Sequence, residues 1–313
     1  MGFYILRRIV ATIPVMMIVA FFVFGLLYLA PGDPAEIIAG DHATPEQIEA
    51  VRQSLGLNEP FLVRFFEWLL DIVRGDLGNS VFSGKPVTEL ILQRLEPTLS
   101  LMILTLIFAV STAIPLGVIA ANYAGSWVDR TIMAVAVLGF SVPVFATGYA
   151  MAFVFSIELK WLPIQGYADL SKGVGLWLSH LVLPAVSLGS VYMALIARIT
   201  RASMLEVLHQ DYIRTARAKG QSQAKILFLH ALKNASISIM TVVGLGIALM
   251  IGGAVVTESV FAIPGIGRLT IDAILQRDYP LIQGVVLFFS FIYVLVNLLV
   301  DISYTVIDPR IRY

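Results

Sequence analysis

The stretch ASISIMTVVGLGIALMIGGAVVT, Ala235–Thr257, runs 23 residues without an Asp, Glu, Lys or Arg. At a rise of about 1.5 Å per residue, a helix of that length crosses a hydrocarbon layer of about 30 Å. Each charge at mid-bilayer would cost roughly 2.5–3.5 kcal/mol, so a long charge-free run is read as a span. Five further runs of this kind are present: Ile9–Ala30, Pro97–Ala121, Thr131–Ile157, Trp177–Ala197 and Leu281–Val300. The composition agrees, with 58% hydrophobic and only 13% charged residues and a mean hydropathy of +0.87. A large soluble helical core would instead need a charged face on every long helix. The reading is an all-α integral membrane protein with six transmembrane helices. The first span follows Arg7 and Arg8 and ends near Ala30-Pro31. Its apolar part is too long for the core of a cleaved leader, so it is expected to stay as the first helix.

Orientation follows from the connecting segments. With the N-terminus inside, one side collects twelve basic and five acidic residues, leaving nine basic and sixteen acidic on the other. Basic residues are retained inside, so both termini are expected in the cytoplasm. The chain is formally neutral with a pI near 6.9, which gives no basic field to attract nucleic acid. Cysteine is absent, which excludes disulfide frameworks and thiolate metal sites.

Two connections are too long for turns. The outer one, residues 31–96, reads as a small extracytoplasmic helical subdomain between the first two spans. Thr44-Pro45-Glu46-Gln47 supplies an N-cap, a proline at the first helical position and a capping-box Gln, and Gly56 closes that helix. Ile48, Val51 and Leu55 line one face of it. A second helix is expected from Pro60, with a broad apolar stripe from Phe61 to Val73 that suits packing onto the spans better than binding. The inner connection, residues 198–234, is strongly basic. It contains two helix-compatible pieces, Glu206–Lys219 and Gln223–Leu232, separated by Gly220. Retention inside needs only a few basic residues, so the excess suits a docking surface for a cytoplasmic partner.

Within the spans, Pro14, Pro115, Pro143 and Pro184 free backbone carbonyls that neighbouring helices or a water-filled cavity must satisfy. Gly244, Ala248 and Gly252 recur every four residues, with Gly246 and Gly253 beside them. That pattern fits close helix packing, or flexibility beside a translocation path. Glu258 and Asp301 stand at span edges, where interfacial solvation also accounts for them.

Enzyme chemistry is missing. Gly78–Pro86 misses the P-loop pattern by one residue between its glycines and has Pro86 after Lys85 in place of the magnesium-binding hydroxyl. His42, His180, His209 and His230 are scattered, with no zinc-binding helix motif, so no metal site and no catalytic set is expected.

The inner loop reads Asp211-Tyr212-Ile213-Arg214-Thr215-Ala216-Arg217-Ala218-Lys219-Gly220. This resembles the coupling loop of ABC importer permeases. The general motif places Glu, Ala and Ala before the glycine, and here those positions hold Arg214, Thr215 and Ala216. The form seen here is similar to the dipeptide, oligopeptide, glutathione and nickel subfamily. Pro31-Gly32-Asp33-Pro34, Glu258–Gly267, Arg277-Asp278-Tyr279-Pro280 and the ending Asp308–Tyr313 carry the same likeness along nearly the whole chain.

The resemblance implies the type I ABC importer permease fold, divided as 1–30 with the first span, 31–96 outside, and 97–313 as the core permease domain. It implies a heterodimer with a homologous second permease, two cytoplasmic ATPase subunits that bind ATP and magnesium, and an extracytoplasmic substrate-binding protein, in the cell inner membrane. This chain itself would hold no cofactor. Asp211, Tyr212, Arg214, Thr215, Ala216, Arg217, Lys219 and Gly220 would form the helix that seats in the ATPase. The path would lie between the two permeases, near Ser141, Pro143, Gly244, Gly246, Gly252, Gly253 and Glu258. Short peptides are the expected cargo; no span carries His or Met paired at helical spacing as a nickel path would use, although Met16 and Met17 are adjacent in the first span, and glutathione or nickel remain the alternatives. A stand-alone secondary carrier is the remaining alternative, and the lack of an intramembrane proton relay weighs against it.

Overall fold

The structure is a computed structural model, and it describes residues 2–29, 34–39, 43–54 and 56–307. Pro31-Gly32-Asp33, His42, Leu55 and the ending Asp308–Tyr313 therefore lie outside the described residues. In chain order the helices are α1 (Gly2–Leu29), α2 (Pro34–Ala39), α3 (Pro45–Ser54), α4 (Phe61–Val73), α5 (Val87–Asn122), α6 (Trp127–Ser141) and α7 (Val144–Met151). A π-helical stretch, Ala152–Glu158, extends α7. Then follow α8 (Val174–Leu208), α9 (Asp211–Ala218), α10 (Gln223–Lys225), a π-helical stretch Ile226–Ala231, α11 (Leu232–Val260), α12 (Ile266–Gln276) and α13 (Tyr279–Ile307). Among the described residues five helices are long and apolar enough to span a membrane, and a bent pair, taken as one span, makes a sixth.

That bent pair revises the expected single span Thr131–Ile157. Here α6 and α7 meet at 101°. Pro143 is the cause, because a residue before proline is pushed out of helical geometry. Val142 is accordingly extended at φ −86° and ψ 127°, and Pro143 starts the next helix. Pro14, Pro115 and Pro184 lie inside uninterrupted helices. Two other boundaries move. The helix that carries the second span begins at Val87, so residues 87–96 of the expected outer segment are helical. The expected helix–turn–helix of the inner loop is one short helix between two long ones: Glu206–Leu208 ends α8, and Gln223 begins a helical run that continues to Val260.

The chain forms two compact units, one of Met1–Leu95 with Leu269–Leu295, the other of Glu96–Arg268 with Val296–Tyr313. In the first, the capping box at α3 is formed as the sequence requires. The Gln47 side chain accepts the Thr44 N–H at 2.9 Å, and the Thr44 hydroxyl accepts the Gln47 N–H at 3.4 Å. Gly56 follows with φ +62°. Helix α4 divides its apolar stripe. Phe65 is buried, with Phe61, Trp68 and Leu69, against Ala20, Val23 and Phe24 of α1; Leu62, Phe66, Leu70 and Val73 stay exposed. Aromatic rings join α1 to α4, with Tyr28 and Phe61 centroids 4.9 Å apart and Phe24 and Trp68 5.1 Å apart.

In the second unit α8 is the central element, with Leu181, Leu188, Ile196 and Met204 at no more than 1% exposure. Small residues set the helix approaches. A Cβ on Gly117 would lie 2.6 Å from Thr200 Cβ, and one on Gly189 would lie 2.6 Å from Phe108 Cδ1, so α5 touches α8 at two glycines. The α6–α8 contact is fixed by charge. Arg201 donates through Nε and Nη2 to the two Asp129 oxygens at 2.5 and 2.7 Å, and Gly125 N–H donates to Asp129 at 2.9 Å.

Candidate functional site

Helix α9 is defined at both ends by local chemistry. Gln210 is extended and precedes it, and Asp211 places a negative charge in the first turn, where the helix dipole favours one. At the other end Gly220 takes φ +73°. Its N–H donates to the Arg217 carbonyl at 2.9 Å, and the Gln221 N–H donates to the Ala216 carbonyl at 3.2 Å. These paired bonds form a Schellman stop, which requires a residue comfortable at positive φ. A Cβ on Gly220 would meet nothing within 4 Å. The glycine is therefore needed for its backbone geometry and not for space.

One side chain fastens the helix. Ile213 is completely buried in the same core cluster as Met204, Leu208, Ile226 and Leu227. Burying an isoleucine contributes roughly 1.5–3 kcal/mol, enough to hold an eight-residue helix that could not persist alone. Behind α9 runs the π-helical stretch Ile226–Ala231. Gln223 ties its start to α5 by a 2.8 Å bond to the Asn122 side chain.

The outward face collects the residues singled out from the sequence. Asp211, Tyr212, Arg214, Thr215, Arg217, Lys219 and Gly220 are all exposed, and Ala216 is half-buried. Arg214 reaches Asp211 at 3.3 Å, but both side chains are more than three-quarters exposed, so the pair contributes at most about 1 kcal/mol. Burial pushes the Tyr212 hydroxyl above its ordinary range, partly offset by a hydrogen bond with Asn234. The result is a short, outward-facing helix with Arg217 and Lys219 near its C-terminal end.

The candidate path residues stand in different surroundings. Ser141 and Pro143 are exposed at the α6–α7 bend, with the Ser141 hydroxyl returned to the Val137 carbonyl at 2.8 Å. Gly244 is buried so closely on Val300 that any Cβ would overlap its side chain. Gly253 packs on Leu188 and Tyr192, and Gly246 lies beside Tyr192 at 3.6 Å. Gly252 faces open space. Glu258 is fully buried and accepts the Thr98 hydroxyl at 2.7 Å and the Arg268 N–H at 2.9 Å. The Thr98 oxygen in turn accepts the Ile266 N–H at 2.8 Å, which fastens the start of α12. Gly265 must be glycine, because a Cβ there would overlap the Glu258 carboxylate.

Residues 113–313 match the family described as the binding-protein-dependent transport system inner membrane component, and residues 1–102 match its N-terminal companion. The chain belongs to this family. It is 56% identical, over all 313 residues of both chains, to a probable peptide ABC transporter permease protein of Sinorhizobium fredii. A putative peptide transport system permease protein of Brucella abortus is 46% identical over 99% of this chain and 98% of its own length. A glutathione transport system permease protein of Escherichia coli is 44% identical over 99% of each. An inward-facing structure of the MetNI methionine ABC transporter shares the fold at a TM-score of 0.59 and 16% identity, covering 70% of this chain and 96% of that one. The protein is thus a multi-pass inner-membrane permease subunit of an ABC importer, from a family of transporter subunits rather than enzymes.

Four residues that shape the site carry little or no functional signal in the sequence. Ile213 lies within the loop motif, where an isoleucine among charged neighbours is the signal of an anchor. Thr98 has no local signal, since its partner Glu258 is 160 residues away. Asp129 and Arg201 read in sequence only as two of the charges that set orientation.

Proposed function

We propose that this permease carries short peptides across the inner membrane as one half of a heterodimer with a homologous permease. A binding protein outside delivers the peptide, and two ATPase subunits inside hold ATP and magnesium; the chain itself binds no cofactor. In this reading both termini and α9 face the cytoplasm, and α9 is the element seated in an ATPase subunit. The observation that carries it is the anchoring of α9 by buried Ile213 with every candidate contact residue but Ala216 exposed. ATP binding can shift the inward–outward equilibrium only by its differential affinity for the two arrangements. A coupling element must therefore move as a rigid body with the ATPase, and a helix stopped by a Schellman motif and fixed through one apolar anchor meets that demand.

Peptide cargo is supported by the names of the Sinorhizobium and Brucella relatives. The Escherichia coli relative favours glutathione as a second reading, and glutathione is itself a short peptide. The path is proposed to run between the two permeases beside the α6–α7 bend and the open Gly252 face of α11.

Replacing Gly220 with valine tests the coupling role. The expected result is normal membrane insertion and retained ATP hydrolysis with uptake lost; full uptake by Gly220→Val overturns the assignment. The ligand captured by the cognate binding protein tests the cargo, a peptide supporting it and nickel overturning it.

A further inference from the structure

Met133, Ala136, Val137 and Phe140 of α6, with Ala194 and Leu195 of α8, wall a cavity of about 320 Å³ that has Arg198 and Arg201 among its lining. We propose that this groove holds one anionic phospholipid, its phosphate on Arg198 and an acyl chain along the apolar wall.

The two arginines are not equivalent. Arg201 is committed to Asp129 through two hydrogen bonds, and Asp129 is only 3% exposed, so that pair is neutral in sum. Arg198 is exposed and has no carboxylate partner among the described residues. Arg130, also exposed, stands on the same side of α6 as Met133, Val137 and Phe140 by its three- and four-residue spacing. An uncompensated positive charge thus sits at one end of an apolar slot.

Depth and length point to a lipid. Trp127 and Tyr123, 77% and 54% exposed, stand at the same end of α6 as Asp129, and exposed Trp and Tyr gather at the headgroup level. From Met133 to Phe140 the helix rises roughly 10 Å, within one leaflet of about 15 Å. The slot then ends at the α6–α7 bend. Val137 and Phe140 remain 56% and 60% exposed along it. A soluble anion would leave this wall in water, and a neutral lipid would leave Arg198 without a counter-charge. An anionic lipid satisfies both. The leaflet is the one on the α9 side, because α9 follows the end of α8 after two residues. The inference is independent of the cargo and of ATPase coupling.

The test uses the assembled transporter, delipidated in detergent and given phosphatidylglycerol or phosphatidylcholine, with retained lipid read by native mass spectrometry. Arg198→Ala is expected to weaken phosphatidylglycerol retention about fivefold, the attraction one arginine supplies at an anionic surface. Arg198→Lys should keep most of it, and Arg74→Ala, an exposed arginine elsewhere, should change nothing. Equal retention by wild type and Arg198→Ala, or equal retention of the two lipids, overturns the proposal. Because the chain lacks cysteine, a fluorophore on Val137→Cys can also report occupancy directly. Phosphatidylglycerol brominated on its acyl chains should quench it, and less so when Arg198→Ala is added. Absence of quenching in the assembled transporter would mean that the homologous permease covers the groove, and would equally overturn the proposal.

Discussion

Thr98 and Glu258 meet at 2.7 Å inside the larger unit, 3% and 0% exposed and 160 residues apart in sequence. The same threonine oxygen accepts the Ile266 N–H, so one hydroxyl holds both a buried carboxylate and the first turn of α12. Thr98→Val keeps the shape and removes the hydroxyl. Each buried group left unpaired costs about 1–3 kcal/mol, so a loss of roughly 3 kcal/mol is expected, seen as a lower thermal midpoint of the purified transporter. Thr98→Ser should restore most of it. An unchanged midpoint for the valine variant would show that the bond carries no weight.

Ile213 is the only buried residue of α9. Truncating a buried isoleucine to alanine costs about 2–5 kcal/mol, more than a helix of eight residues can lose and stay docked. Ile213→Ala should therefore leave the rest of the fold in place and loosen α9 alone. Hydrogen exchange over Asp211–Ala218 is expected to rise at least tenfold, with uptake falling more than ATP hydrolysis. Wild-type exchange across this segment would contradict the anchoring role.

The two glycines Gly244 and Gly252, two four-residue steps apart with Ala248 between them, share a sequence context but not an environment. Alanine at Gly244 would drive a Cβ into the side chain of Val300, whereas at Gly252 nothing lies within 4 Å. Overpacking of this kind costs about 1–3 kcal/mol. Gly244→Ala should thus lower the thermal midpoint, and Val300→Ala in the same chain should recover much of the loss. Gly252→Ala should be neutral or slightly stabilising, because alanine is the better helix former by about 1 kcal/mol. If both alanines behave alike, the α11–α13 contact at Val300 is not as close as described.

That contrast shows where a sequence can be read and where it cannot. The spans were legible because lipid imposes one rule, the absence of charge over some 20 residues, and every long run obeyed it. The capping box at Thr44 and the helix stop at Gly220 were legible because both act within a few residues. The break at Val142 was half legible: four span prolines looked alike, and only Pro143 separates two helices. Illegible were the relationships that fix α9 and Glu258, since Ile213, Thr98 and Val300 find their partners only after the helices have packed. The glycine repeat in α11 is one feature in the sequence, and packing divides it into buried Gly244 and open Gly252.

Arg277 and Asp278 carry opposite expectations although they are neighbours. Arg277 closes α12 at φ +57°, a left-handed position, in a Schellman arrangement where its N–H meets the Ile274 carbonyl at 3.1 Å and the Asp278 N–H meets the Ala273 carbonyl at 2.9 Å. A side chain there costs about 1–2 kcal/mol that glycine avoids, less the extra freedom glycine gains when unfolded. Arg277→Gly should therefore raise stability by about 0.5–1 kcal/mol. Asp278, 1% exposed, accepts the Ser80 hydroxyl at 2.5 Å and the Val81 N–H at 3.3 Å, and caps α13 by accepting the Leu281 N–H at 3.4 Å. It thereby pins the tight Gly78–Pro86 loop to the start of a span. Asp278→Ala removes a helix cap worth about 1 kcal/mol and leaves the Ser80 hydroxyl without its acceptor at a further 1–3 kcal/mol or so. The two variants should move the thermal midpoint in opposite directions. A destabilising Arg277→Gly would mean that the guanidinium makes contacts worth more than the strain its backbone bears.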